Sequence, residues 1–327
     1  MSSKKDVLNI LELSRGQYIS GEAIAKKLGL SRNSIWKAIK SLKEQGYSIE
    51  SKTNKGYRLK ESNDILSAAS LTPWLSNPQT AHKIEFYKAV DSTNTLGKER
   101  ALAGAPDGTV ILAETQTAGR GRMGRSFYSP DGSGIYLSII LRPNAAIDAS
   151  LLITITASVL ISRAIHKITG FWPEIKWVND LFYNGKKICG ILTEASADFE
   201  TGTIDYIVLG AGINFTAPEE DIPDALKPII GTLFEKSPAG NLRSRLAAEI
   251  INELSTLNTL NDKQSILKEY RSHSMVIGQS VILTSGQTTL AGTVLDINEH
   301  GHLILKTLDG TIHTISSGEV SLRLNKI

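Results

Sequence analysis

Cysteine is almost absent from this sequence: Cys189 stands alone in 327 residues. A lone thiol can neither close an intramolecular disulfide nor build a cysteine-rich zinc site, so a disulfide scaffold, structural zinc and dithiol redox chemistry are poor readings. Internal repeats and low-complexity tracts are also missing. The most apolar stretch, Leu151 to Ile161, is interrupted by threonines and a serine and is too short to span a bilayer. The polar opening MSSKKD leads into no apolar signal segment. A cytoplasmic protein with no membrane partner is expected, long enough for two or three domains.

The net charge of +3 hides an asymmetry. Residues 1 to 65 carry thirteen Lys and Arg against seven Asp and Glu, whereas the rest carries 23 against 26. A basic head on a mildly acidic body suits a polyanion partner for the head alone. The head reads as three short helices and a hairpin. Val7, Ile10 and Leu11 give the first helix one apolar side. Ser20 is an N-cap for a second helix that buries Ile24 and Leu28 and stops at Gly29. Ser31 caps a third, in which Ile35, Ile39 and Leu42 recur at helical spacing while Arg32, Asn33, Lys37 and Lys40 lie on other faces. Tyr47 to Ser51 and Tyr57 to Lys60, joined by Thr53-Asn54-Lys55-Gly56, form a β-wing whose Lys52, Lys55 and Arg58 can reach phosphates. Charge, spacing and wing together make a winged helix-turn-helix. Its DNA-contacting set is Ser31, Arg32, Asn33, Lys37, Lys40, Lys55 and Arg58.

From Ile84 to about Tyr270 the pattern is α+β. Strands are expected at Ile84–Val90, Gly108–Gln116, Gly134–Leu141, Glu174–Trp177, Lys187–Glu194 and Tyr206–Asn214. Helices are expected from Asn94, across Asp148–Lys167 and across Leu242–Leu254. Asn184-Gly185 marks a hairpin turn. After His273, short alternating strands with Gly-containing turns indicate a small all-β barrel.

The most unusual segment is Gly119-Arg120-Gly121-Arg122-Met123-Gly124-Arg125. Glycines let backbone N–H groups approach a ligand closely, and guanidinium forks match carboxylate and phosphate oxygens. A disordered RGG-like tract would run on for many more residues; this one sits between two apolar strands, which suits an ordered anion-binding loop. Lys176-Trp177-Val178-Asn179-Asp180, then Lys187 opening an apolar strand, form a second constellation. Lys187 reads equally as an edge-strand gatekeeper or as a functional cation facing the arginine loop.

Asp91-Ser92-Thr93-Asn94, Glu114-Thr115-Gln116, GRGRMGR at 119–125, KWVND at 176–180, Lys187 with Gly190-Ile191-Leu192, and Gly210-Ala211-Gly212-Ile213-Asn214 resemble, in order and approximate spacing, the motifs of biotin protein ligases. With its winged head the chain resembles the bifunctional bacterial type, the biotin operon repressors, from end to end. Ser321-Leu322-Arg323 matches that family's C-terminal strand.

The resemblance implies an α+β protein of three domains and a linker: a winged helix-turn-helix (1–65), a linker (66–83), a central α/β ligase domain with a mixed sheet like that of class II aminoacyl-tRNA synthetases and lipoate ligases (84–272), and a C-terminal SH3-like β-barrel (273–327). It further implies MgATP and biotin as substrates, biotinyl-5′-AMP as intermediate and co-repressor, and biotin carboxyl carrier domains of acetyl-CoA carboxylase and pyruvate carboxylase as acceptors. Operator DNA and a homodimer formed on the adenylate complete the set. By the same resemblance, biotin falls to Ser92, Thr93, Asn94, Gln116, Gly119, Arg120, Arg122, Lys187, Gly190 and Gly210. Hydroxyls and amides there complement the ureido ring. The nucleotide falls to Arg122, Arg125, Phe127, Lys176, Asn179, Asn214 and Arg323, and catalysis to Lys187, Arg122 and Asp180, the last with a turn-cap reading beside it. No protein-held metal site is expected.

Two positions depart from the family. Val178 stands where KWPND has proline, which should loosen the local backbone, and Phe127 replaces a Trp that covers the adenine in some members. Lipoate-type ligases and octanoyl transferases would carry an Arg-Arg-x-Ser-Gly-Gly-Gly loop, absent here. A non-enzymatic ligand-sensing transcription factor would explain the head but not Lys187 and the arginine loop.

Overall fold

The structure, a computed structural model, describes residues 3–143, 145–146, 149–198, 200, 202–219, 221–238, 240–257, 262–285 and 288–322. The helices are α1 (Ser3–Leu13), α2 (Gly21–Leu28), α3 (Arg32–Glu44), α4 (Ala68–Leu71), α5 (Thr93–Leu102), α6 (Ser150–Thr169), α7 (Leu242–Ser255) and α8 (Lys263–Ser272). The strands are β1 (Ile49–Lys52), β2 (Gly56–Leu59), β3 (Ile84–Val90), β4 (Val110–Gln116), β5 (Gly134–Leu141), β6 (Glu174–Lys176), β7 (Asp180–Tyr183), β8 (Lys186–Asp198), β9 (Thr203–Asn214), β10 (Ser280–Ser285), β11 (Thr288–Ile297), β12 (Leu303–Thr307), β13 (Ile312–Ile315) and β14 (Glu319–Leu322). They fall into two compact units: Met1–Phe86 with Lys236–Asn252, and Tyr87–Glu235 with Glu253–Ile327.

In the first unit, Ser20 Oγ accepts from the Ala23 amide (3.0 Å) and Ser31 Oγ from the Ser34 amide (3.1 Å), so both helices of the pair start on the hydroxyl caps expected of them. Gly29, at φ +66°, turns the chain between α2 and α3 in the left-handed region that L side chains avoid. Ile35, Ala38, Ile39 and Leu42 of α3 pack with Val7, Leu11, Ile24 and Leu59 in one core. Strands β1 and β2 pair as the wing, Lys52 opposite Gly56.

The expected boundary at residue 65 does not match this unit. The stretch assigned to a linker holds α4, whose Ser67 and Ser70 form a reciprocal capping box, and Leu66 and Leu71 are fully buried. Residues 241–252 pack with it: Ser244 Oγ bonds Ser70 Oγ (2.9 Å), Asn252 bonds the backbone at Trp74 and Ser76, and Arg243, only 2% exposed, pairs with Asp64 at 3.3 Å. The serines of this stretch serve buried hydrogen bonds. Asp64→Ala should take one partner from the buried guanidinium and lower the unfolding free energy by about 3 kcal/mol. A denaturant midpoint matching that of the parent chain would show the pair to be neutral.

In the second unit a seven-stranded sheet runs in the order β3-β4-β5-β9-β8-β7-β6. Strand β5 is buried along its whole length, which explains its unbroken apolar run. Helix α6 is longer than the apolar stretch suggested: at 20 residues it is long and apolar enough to cross a membrane. Both apolar Ile155, Leu160 and Ile161 and polar Ser158 and Ser162 are buried in the fold, which is the position of a core helix. Strand β7 and helix α8 escaped the sequence reading; β7 is four residues long and α8 carries no strong apolar stripe beyond Ile266, Leu267 and Tyr270. The C-terminal strands form a five-stranded antiparallel sheet in the order β13-β12-β11-β10-β14.

Candidate functional site

The sheet builds the floor of the site through glycines and one irregularity. Strict alternation along β8 would put Lys187 and Gly190 on opposite faces. The β7–β8 register slips between Leu181 and Phe182, where Leu181 faces Cys189 and Phe182 faces Lys187, so both Lys187 and Gly190 reach the same cleft. Opposite them on β9, Gly212 pairs with Gly190 and Gly210 with Leu192. A Cβ at Gly212 would lie 2.4 Å from the Phe127 ring, and one at Gly210 2.0 Å from Asn94 Oδ1, so both positions require glycine.

Two adjoining clefts open on this floor, of about 440 and about 610 Å³. The first is lined by Ser92, Thr93, Asn94, Gln116, Arg120, Gly190 and Gly210, and the second by Arg125, Lys176, Asp180 and residues 318–320 of the C-terminal sheet. Gly121, Arg122, Phe127, Asn179 and Lys187 line both. The interior position of β8 excludes the edge-strand reading of Lys187.

Most of the polar groups are already oriented. Ser92 caps α5, and Gln116 Oε1 accepts from the Thr93 amide (2.8 Å) while its Nε2 donates to Ser129 Oγ (2.8 Å). Ser138, a fully buried serine in apolar β5, lies 2.8 Å from Thr93 Oγ1 and 2.6 Å from Asn94 Oδ1. Sequence reading passed over Ser138, although a lone serine in GIYLSIIL was a visible signal.

The arginine loop is ordered. Its neck closes where the Phe127 amide donates to Gly119 O (2.8 Å), and its tip where Gly121 donates to Arg125 O (2.7 Å). Gly119 therefore shapes the loop and does not line either cleft. Arg120 pairs with Glu194 (3.1 Å), Arg122 donates to Asn179 Oδ1 (3.0 Å), and Arg125 makes a two-pronged bond to Glu319 (2.6 and 2.5 Å). Asn179 in turn donates to Ile191 O (2.7 Å), which fixes Arg122 to the sheet.

Lys187 Nζ lies 2.7 Å from Asp180 Oδ1, so Asp180 serves as the lysine's counter-ion and caps no helix. Burial lowers the pKa of the neighbouring Lys176 ammonium, against the pull of Asp180 and Glu319. Cys189, beneath them, has its thiol pushed far up by burial and is inert. The Trp177–Val178 peptide is cis. The loosening expected at Val178 is not found: the residue is buried, and the Tyr270 hydroxyl donates to its carbonyl (3.1 Å). Asn214 stands apart, its amide donating to Lys187 O (3.1 Å) and its side chain facing a third cleft of about 230 Å³. Arg323 lies outside the described residues.

On the head, Ser31, Arg32, Asn33, Lys37, Lys40 and Lys55 are exposed. Trp36, 53% exposed, shares the outer face of α3 with them and was passed over as an apolar residue. The Arg58 guanidinium pairs with Glu50 and lies over the Tyr18 ring at 4.7 Å, which braces the wing. Hydrogen bonds from Arg58, Tyr18 and Lys60 hold the Glu50 carboxyl at about 2.

A strand lysine and a cation of the glycine-rich loop that both line two adjoining clefts, on a chain headed by a winged helix-turn-helix, fit a DNA-binding ligase of the biotin and lipoate type. Comparison with known proteins narrows this. Residues 86–214 match the model of the biotin/lipoate A/B protein ligase family, residues 4–58 an HTH domain, and residues 276–323 the biotin protein ligase C-terminal domain. The chain is 33% identical to the bifunctional ligase/repressor BirA of Bacillus spizizenii, over 98% of each chain, and 32% identical to that of Escherichia coli, over 95% of each. A biotin protein ligase from Aquifex aeolicus, solved with biotin and ATP, superposes with a TM-score of 0.61 at 28% identity, covering 73% of this chain and 98% of that one. The chain belongs to the family of bifunctional biotin ligase/repressors.

Proposed function

We propose that this chain joins biotin to ATP, releasing pyrophosphate, and passes biotin from the adenylate to one lysine of a biotin carboxyl carrier domain. The observation that carries the reading is that Lys187 and Arg122 face both clefts. Biotin occupies the first, among the hydroxyls and amides of Ser92, Thr93 and Gln116, and the nucleotide the second. A carboxylate oxygen attacks the α-phosphorus where the two meet. Two anions must approach there, so cations on the shared wall offset their repulsion and the charge that builds on the phosphoryl oxygens. Mg²⁺ enters with the ATP phosphates and adds to that neutralisation. Once Lys187 engages the anions, Asp180 accepts the proton of the incoming amine as it displaces AMP. A relative from Mycobacterium tuberculosis, 32% identical over 73% of this chain, is a biotin–[acetyl-CoA-carboxylase] ligase, which favours that carboxylase as acceptor. In this reading the protein is cytoplasmic, dimerises on the adenylate and represses from an operator through the face of α3. Pyrophosphate exchange that requires both biotin and ATP tests the ligase reading; exchange without biotin would refute it.

Arg122→Gly is expected to shorten retention of the adenylate at least tenfold while slowing its synthesis less, because a loop cation holds the anion after pyrophosphate leaves. Escaped ester acylates surface lysines at random. Bystander proteins that stay unlabelled beside the variant would remove Arg122 from this role.

A further inference from the structure

The three loop arginines do not share one task. Arg122 and Arg125 contact partners that line the second cleft, Asn179 and Glu319. Arg120 lines only the first cleft and pairs with Glu194. Glu194 is 17% exposed on β8 and collects donors from three directions. Lys98 Nζ lies 2.6 Å from Oε1 and Arg120 Nη2 3.1 Å from the same oxygen, while Asn94 Nδ2 donates to Oε2 at 3.0 Å. Asn94 and Lys98 are one turn apart on α5, so a single helical face converges on this carboxylate. Burial raises the Glu194 carboxyl, but the bonds from Lys98 and Asn94 and the charge of Arg120 outweigh it and hold the group below its ordinary value.

Lys98 alone would neutralise Glu194, so the second cation is surplus to charge balance and its effect falls on the loop. The Arg120 backbone bridges Ser126 at the loop's base, so fixing Arg120 fixes both limbs at once. Arg122 and Arg125 must trade partners when phosphates arrive; Arg120 need not. We propose that Glu194 is a positioning residue for biotin, anchoring the neck of the arginine loop over the first cleft through Arg120 and, through Asn94, setting the adjoining cleft wall. This rests on the ligase reading above.

Pyrophosphate exchange by the full chain tests it, with adenylate release followed after a spin column. The parent chain must first show biotin-dependent exchange; failure there overturns the ligase reading and the anchor with it, whereas the outcomes below overturn the anchor alone. Given exchange, Glu194→Gln keeps an acceptor for Asn94 but loses the charge. It should raise the KM for biotin about tenfold, leave the KM for ATP within about twofold and kcat within about threefold, and speed adenylate release about tenfold. Arg120→Ala, which removes the pair from the exposed side, should do the same, and the double variant should be no worse than either single one. Lys98→Ala should stay within about threefold of the parent chain, since it leaves the loop contact intact. An unchanged biotin KM in Glu194→Gln, multiplying effects of the two variants, or a Lys98→Ala that reproduces the defect would each overturn the proposal.

Discussion

Lys187→Ala is expected to slow biotin-dependent pyrophosphate exchange by about three orders of magnitude, near the upper end for losing one preorganised donor to a developing oxyanion. Biotin binding should remain measurable. The reason for the split is that the lysine's charge is needed most when negative charge builds on the phosphoryl group, so its loss falls on kcat more than on KM. The fold should survive, because the ammonium is a quarter exposed and Asp180, with which it pairs, is likewise reached by solvent. Isothermal titration with biotin, thermal unfolding and exchange kinetics on the same sample separate these effects. A variant that exchanges at close to the parent rate would falsify the assignment.

The second large effect concerns DNA. One winged head contacts one half-site, so tight binding needs two heads on a two-fold site and a dimeric body. We propose the adenylate as the switch: Arg122 and Arg125 must leave Asn179 and Glu319 to meet its phosphate, and a dimer that favours the exchanged pairing would bind the ligand more tightly by linkage. Operator affinity should therefore rise when biotin and ATP are both present and fall when unmodified carrier domain consumes the adenylate. It should also drop by about 10³ to 10⁵ between about 50 and about 200 mM salt, the span set by six to ten phosphate contacts. Lys55→Ala in the wing should weaken all sequences alike and reduce the salt slope by about one, whereas Asn33→Ala in α3 should relax sequence preference. Selection of duplexes from a random library, with and without the adenylate, reads both. Equal affinities in the two conditions would leave the ligase standing and remove the regulation.

Much of this was legible because local signals agreed. Ser20 and Ser31 before apolar periodicity, with Gly29 between, place α2, the turn and α3 without any long-range information. The arginine-glycine loop is visible from composition, and the apolar runs mark β5 and β9. What the sequence left out is which side chains meet. Ser70 reads as linker until Ser244, 174 residues on, is bonded to it. Arg58 reads as a free phosphate ligand until Glu50 lies opposite on the wing. Glu319 and Glu194 carry no motif; their roles arise from where the arginine loop comes to rest.

By itself the sequence determined most of the helices and strands, though not α4, β7 or α8, and which residues have the chemistry to hold anions, because caps, periodicity and side-chain type are properties of a few neighbouring residues. Only the tertiary structure decided which of those residues face one another. The clearest case is Lys187 beside Gly190, three residues apart on one strand and facing the same cleft. An ideal strand forbids that arrangement, since its side chains alternate with period two, and only the slipped pairing between β7 and β8 permits it.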